Sequence, residues 1–145
     1  MDIVHFIFDH WDNIAIEGIT DYNGLPYHFK CQFSIEDDAW TDEYELTKLD
    51  EYIFKLASIN YQYFLDWLQD VKIPHPVEYA RFRESETLQQ LTVRLNENLQ
   101  AAEKHYQNQL LFDKYIEESE GKINVKGYFE GRIKDENLMV KWVVG

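Results

Sequence analysis

Three groups of side chains in the 145-residue chain are of types that carry chemistry. Asp9, His10 and Asp12, with His5 nearby, bring carboxylate and imidazole together, a donor set that suits several transition metals. No second ligand pair at fixed spacing accompanies them, and "DHWDN" is equally ordinary turn chemistry. His28 lies near Glu17 and Lys30 and could act as a general base where its face lines a pocket; the plainer reading is a half-exposed strand residue. Cys31 falls between Phe29 and Phe33 on an apolar face, where a thiol behaves as a small hydrophobe with a raised pKa. His75 and His105 are isolated. There is no Gly-x-Ser-x-Gly elbow, no phosphate-cradling glycine loop and no dinucleotide fingerprint.

What remains is charge. Residues 34–51 hold eight acidic side chains against one lysine, a net −7 of the chain's −13. The run Glu36, Asp37, Asp38, Asp42, Glu43 lacks the alternating spacing of an EF-hand loop. A field of this sign repels nucleic acid and anionic membrane and attracts basic proteins. The expectation is therefore a non-enzymatic acidic binding protein without a cofactor, in concrete form an immunity-type inhibitor of a basic partner such as a toxin nuclease. Glu36, Asp37, Asp38, Asp42 and Glu43 would steer the encounter, with Trp40 and Tyr44 as anchors. The alternative is a small metal-dependent hydrolase using Asp9, His10 and Asp12.

The elements that position these groups follow from periodicity. Residues 3–8, "IVHFIF", read as a short strand buried on both faces. Asn23-Gly24 between two alternating segments is a hairpin signal, because a type I′ turn needs positive φ at both central positions. With those two as the turn, Gly18 faces Phe29, Thr20 faces Tyr27 and Glu17 faces Lys30; a slip of one residue destroys both faces. Residues 34–48 read as loop with a short strand near 44–47. From Asp50 to Val71, apolar residues recur at helical spacing, with Thr47 or Asp50 as cap and the prolines of "KIPHP", 72–76, as terminator. Tyr52, Phe54, Tyr61, Tyr63, Phe64 and Trp67 ring that helix on more than one side, which either layers or a partner would cover. A second helix runs from about Ser85 to Asn108, extendable through Tyr115 with a kink, capped by Ser85 or Thr87. The tail returns to β with "INVKGYFEGRI", 123–133, and "LMVKWVV", 138–144.

Strands at both ends with two helices between predict an α+β fold. An antiparallel or mixed sheet is built from the N-terminal strands and a C-terminal hairpin, with the two long helices packed on one face. The length fits one globular domain over residues 1–145, and 23 aromatics argue for a folded chain despite its charge. A homodimer of purely structural role is compatible with that aromatic excess. One cysteine, no leader-like start and no apolar segment of about 20 residues predict a cytoplasmic protein that does not span a membrane. The order of these segments, with Gly18, Tyr22, Gly24, Pro26 and Phe29 and the terminal Trp142 strand as its specific parts, resembles a family of small bacterial proteins. The resemblance implies a bacterial, single-domain cytoplasmic protein and brings no activity, cofactor or catalytic residue.

Overall fold

The computed structural model describes residues 1–71, 88–133 and 137–144. The chain forms β1 (Asp2–Trp11), β2 (Ile14–Tyr22), β3 (Leu25–Ser34), β4 (Ala39–Lys48), α1 (Glu51–Val71), α2 (Leu88–Glu118), β5 (Ile123–Glu130) and β6 (Met139–Val144). It divides into two compact units, 1–54 with 115–145, and 55–114.

The first unit is a closed barrel of six strands in sequence order, every neighbouring pair antiparallel. This overturns the expected open sheet carrying two long helices on one face. The physical reason lies in the C-terminal hairpin: β5 pairs with β4 and β6 returns to β1, so the apolar face of the sheet is filled by its own side chains. An apolar face turned inward has the same period-two pattern as one turned toward helices, so alternation alone does not separate the two architectures.

The β2–β3 hairpin has the register read from its turn, from Glu17↔Lys30 to Tyr22↔Leu25, with positive φ at Asn23 and Gly24. Extending the rows across the sheet explains the core. Gly18, Phe29, Leu46 and Ile123 form one row, and Cys31, Tyr44, Val125 and Val144 the next. Phe29, Tyr44, Phe129 and Trp142 meet pairwise inside, with ring centroids 5.2 to 5.9 Å apart in edge-on or tilted arrangements. The polar atoms of two of these rings find partners: the Tyr44 hydroxyl donates to Ala15 O at 2.7 Å, and Trp142 Nε1 donates to Thr20 Oγ1 at 3.2 Å.

Two strands exceed their sequence-based bounds. β1 continues to Trp11, leaving only Asp12 and Asn13 as the turn, with Asp12 at φ 52°. β4 begins at Ala39, so the acidic loop shrinks to Ile35–Asp38. α1 matches its expectation: Ile53 N donates to Asp50 Oδ1 at 2.7 Å, the side-chain cap that Asp at this position supplies. α2 runs unbroken through Tyr115 to Glu118, and the expected kink is not needed to reach it. The "KIPHP" terminator, His75 and the Ser85 and Thr87 caps lie outside the described residues. In the second unit, Ala57, Asn60 and Phe112 are buried, and Asn60 Nδ2 donates to Gln109 Oε1 at 3.4 Å between the helices. Among the described residues no helix is long and apolar enough to cross a membrane.

Two glycines are required by the rings. A Cβ on Gly127 would press into the Trp142 ring and lie 3.0 Å from Tyr44 Cδ1; a Cβ on Gly18 would meet the Phe6 carbonyl oxygen and lie 2.7 Å from Phe29 Cζ. Gly127→Ala is expected to cost about 1–3 kcal/mol, the usual range for overpacking a core. Gly18→Ala should cost more, because backbone rather than a side chain must yield. Urea denaturation of both variants checks this, and a Gly18→Ala protein as stable as the parent contradicts the packing described.

Candidate functional site

The β3–β4 hairpin presents the acidic side chains, and its local chemistry sets their directions. Its turn is closed by Ser34, whose Oγ accepts from Asp37 N at 3.2 Å and donates to Asp37 Oδ2 at 3.2 Å, while Asp38 adopts φ 50°. Below the turn the register slips from Phe33↔Trp40 to Cys31↔Tyr44, so Thr41, Asp42 and Glu43 oppose Gln32 alone. Thr41 stabilises this bulge. Its hydroxyl donates to Gln32 O at 2.8 Å and accepts from Glu43 N at 3.2 Å.

The bulged strand, the turn and the first half of β5 enclose an open groove of about 910 Å³. Asp37, Asp42, Glu43 and Glu45 line it, with Lys126 as the one cation among its lining residues. Two of these charges are partly balanced. Glu43 faces Lys126 in the β4–β5 register, and Glu45 Oε1 lies 3.5 Å from Lys122 Nζ. Asp42 Oδ2 accepts from the Tyr128 hydroxyl at 3.4 Å, leaving its charge uncompensated. Glu36 and Asp38 are exposed on the turn, and Ile35 beside them is 88% exposed.

The two aromatic anchors separate. Trp40 is half-buried, with its ring 5.0 Å edge-on from that of Phe33 at the groove's rim. Tyr44 is only 3% exposed and bonded to Ala15 O inside the barrel, so it cannot anchor a partner on this surface. Strand alternation is the cause: Glu43 and Glu45 point outward, and the residue between them points in. Desolvation drives the Tyr44 phenol far above its ordinary pKa.

The candidate metal ligands do not converge. Asp9 and His10 lie near the end of β1, Asp12 is in the turn, and His10 Nδ1 contacts the Asp12 backbone oxygen at 3.2 Å rather than a carboxylate. Among the described residues no group of three or more His, Cys, Asp or Glu is arranged to hold a metal ion. His5 pairs instead with Asp21, 2.7 Å away, and its ring lies edge-on to Phe54.

His28 differs most from its sequence reading. It is 2% exposed rather than half-exposed, and its Nε2 lies 2.7 Å from Glu17 Oε2. Glu17 and Lys30 still face each other in register, but the buried imidazole supplies the short contact. His28 faces Thr47, a buried hydroxyl with no hydrogen-bond partner among the described residues, and Ile19, which is fully buried. A base needs substrate within hydrogen-bond reach, and the groove lined by the acidic hairpin does not include His28. Thr47, the other candidate cap of the first helix, is instead a buried β4 residue, and Asp50 supplies the cap. Cys31 is buried as expected, with its thiol pushed up by burial, and its Sγ lies 3.1 Å from Thr41 O.

The Glu17 carboxyl is held below its ordinary value of 4.5, chiefly by the His28 hydrogen bond, with burial opposing. A depressed carboxylate contributes stability that is present above the ordinary pKa and lost as pH falls through the folded-state value. Glu17→Gln should therefore melt lower than the parent near neutral pH, with the gap narrowing between about pH 5 and about pH 3. Thermal melts across that range check it, and a gap independent of pH contradicts the assignment. Compared with known proteins, the chain matches no family model, no curated protein and no solved structure.

Proposed function

We propose that the chain is a non-enzymatic binding protein whose β3–β4 hairpin engages a basic protein. The observation that carries this reading is the groove bounded by Asp37, Asp42, Glu43 and Glu45, four carboxylates against Lys126 in the lining and Lys122 beside Glu45. The barrel holds these charges on a short turn and a bulged strand, so the carboxylates are placed before a partner arrives. Preorganised charge of one sign accelerates encounter with an opposite patch and suppresses anionic competitors. Exposed Ile35 and Phe33, with half-buried Trp40 against the Phe33 ring, give the same surface an apolar element that can anchor a complex once steering has formed it. A nuclease with a cationic active site is a partner of the required chemistry, which keeps an immunity-type inhibitor as the concrete form.

No geometric observation favours the hydrolase reading, since Asp9, His10 and Asp12 are not directed at one point. The binding reading is tested by interferometry against a panel of purified basic nucleases, with nuclease activity followed in parallel. Binding is expected to weaken at least about tenfold between about 0.05 and about 0.5 M salt. The variant Asp37→Asn, Asp42→Asn, Glu43→Gln should lose most of that dependence together with most of the association rate. Salt-insensitive binding, or a triple variant that binds like the parent, overturns the proposal.

A further inference from the structure

β4 is paired along one side and bare along part of the other. Its ladder with β3 reaches Ser34↔Ala39, whereas its ladder with β5 stops at Glu43↔Lys126. β5 continues through Gly127–Glu130, which pair with β6 on one side and have no register with β4 on the other. Ala39–Asp42 thus forms a four-residue strand edge whose β5 side has no ladder partner among the described residues. It adjoins the acidic groove, with Ala39 and Asp42 exposed.

Unpaired backbone donors and acceptors on such an edge are a template for another strand, and charged side chains determine which strand is admitted. Asp42 sits on the edge, and Asp37 and Glu43 flank it. A second copy of the same edge would set these carboxylates against their own kind, so self-pairing is opposed. A strand bearing lysine or arginine finds complementary charge along the same line. The two sides of the edge also differ. Thr41, Asp42 and Glu43 line the groove, whereas Trp40 packs against the core. A strand added here presents alternate residues to these two environments.

We infer that Ala39–Asp42 takes up an extended segment of the partner protein as an added strand, with cationic side chains at alternate positions and apolar ones between. This rests on the hairpin being the site for a basic partner, and it specifies how that partner is held: by main-chain pairing for affinity and by carboxylates for selection.

The experiment uses the full chain and a synthetic peptide of alternating lysine and valine. Two further peptides of the same sequence carry N-methyl groups on alternate backbone nitrogens, along one edge or along the other. A strand paired through one edge tolerates methylation of the opposite edge only. The unmethylated peptide should bind at low salt and slow amide exchange within Ala39–Asp42. Only one of the two methylated peptides should lose affinity, by at least about tenfold, or about 1.4 kcal/mol. Equal affinity of all three peptides, or protection elsewhere on the barrel, overturns strand addition and leaves the acidic-surface reading standing. Failure of every peptide to bind at about 0.02 M salt overturns both.

Discussion

Closing six strands around four aromatic side chains is the constraint on which the rest of the structure depends. Phe29, Tyr44, Phe129 and Trp142 come from β3, β4, β5 and β6, and every pair among them is in ring contact. In so narrow a barrel two of these rings fit because a facing position has no side chain. Gly18 lies opposite Phe29 and Gly127 opposite Trp142, on the strands where those rings turn inward. The glycines are thus spatial complements of the rings rather than turn residues.

The same interior secures the weakest seam. Among the described residues, β1 and β6 pair through Asp2↔Val140 and Ile3↔Met139, with a further bond from Val4 N to Leu138 O at 3.1 Å. Inside the barrel, Trp142 Nε1 of β6 donates to Thr20 Oγ1 of β2, and that hydroxyl lies 3.1 Å from Ile3 O of β1. A buried hydroxyl thereby links the three strands nearest the closure, supplementing the short ladder. Hydrogen bonds in such a shielded place are costly to leave unmade, so they favour the closed form over a splayed one.

Legibility from sequence tracks the range of the interaction responsible. The β2–β3 register is readable because an Asn-Gly turn and the alternating residues on either side specify it locally, and Asp50 as a helix cap is equally local. Barrel closure was not readable, since it depends on β5 and β6 finding strands more than seventy residues away and uses the same alternation as an open sheet. β4 was shortened in the sequence reading because acidic residues are poor strand formers, yet pairing with β3 overrides that propensity from Ala39 onward. The burial of His28 has a related cause: a polar residue at an outward position implies exposure only if that outward face is uncovered, and here Ile19 and Thr47 beside it are buried too.

The candidate site shows how the two levels combine. Residue type alone identified Asp37, Asp42 and Glu43 as a source of field, and it could not separate Trp40 from Tyr44 as anchors. The bulge makes that separation, because three β4 residues opposite Gln32 let Asp42 and Glu43 both line the groove while Tyr44 returns to the interior. Without the bulge, strict alternation would send Asp42 to the same side as Tyr44, into the barrel and among the rings. A carboxylate there would be desolvated without a cation, at a cost far above that of one irregular ladder. The bulge is therefore the local solution that lets one strand serve both the aromatic core and the acidic surface.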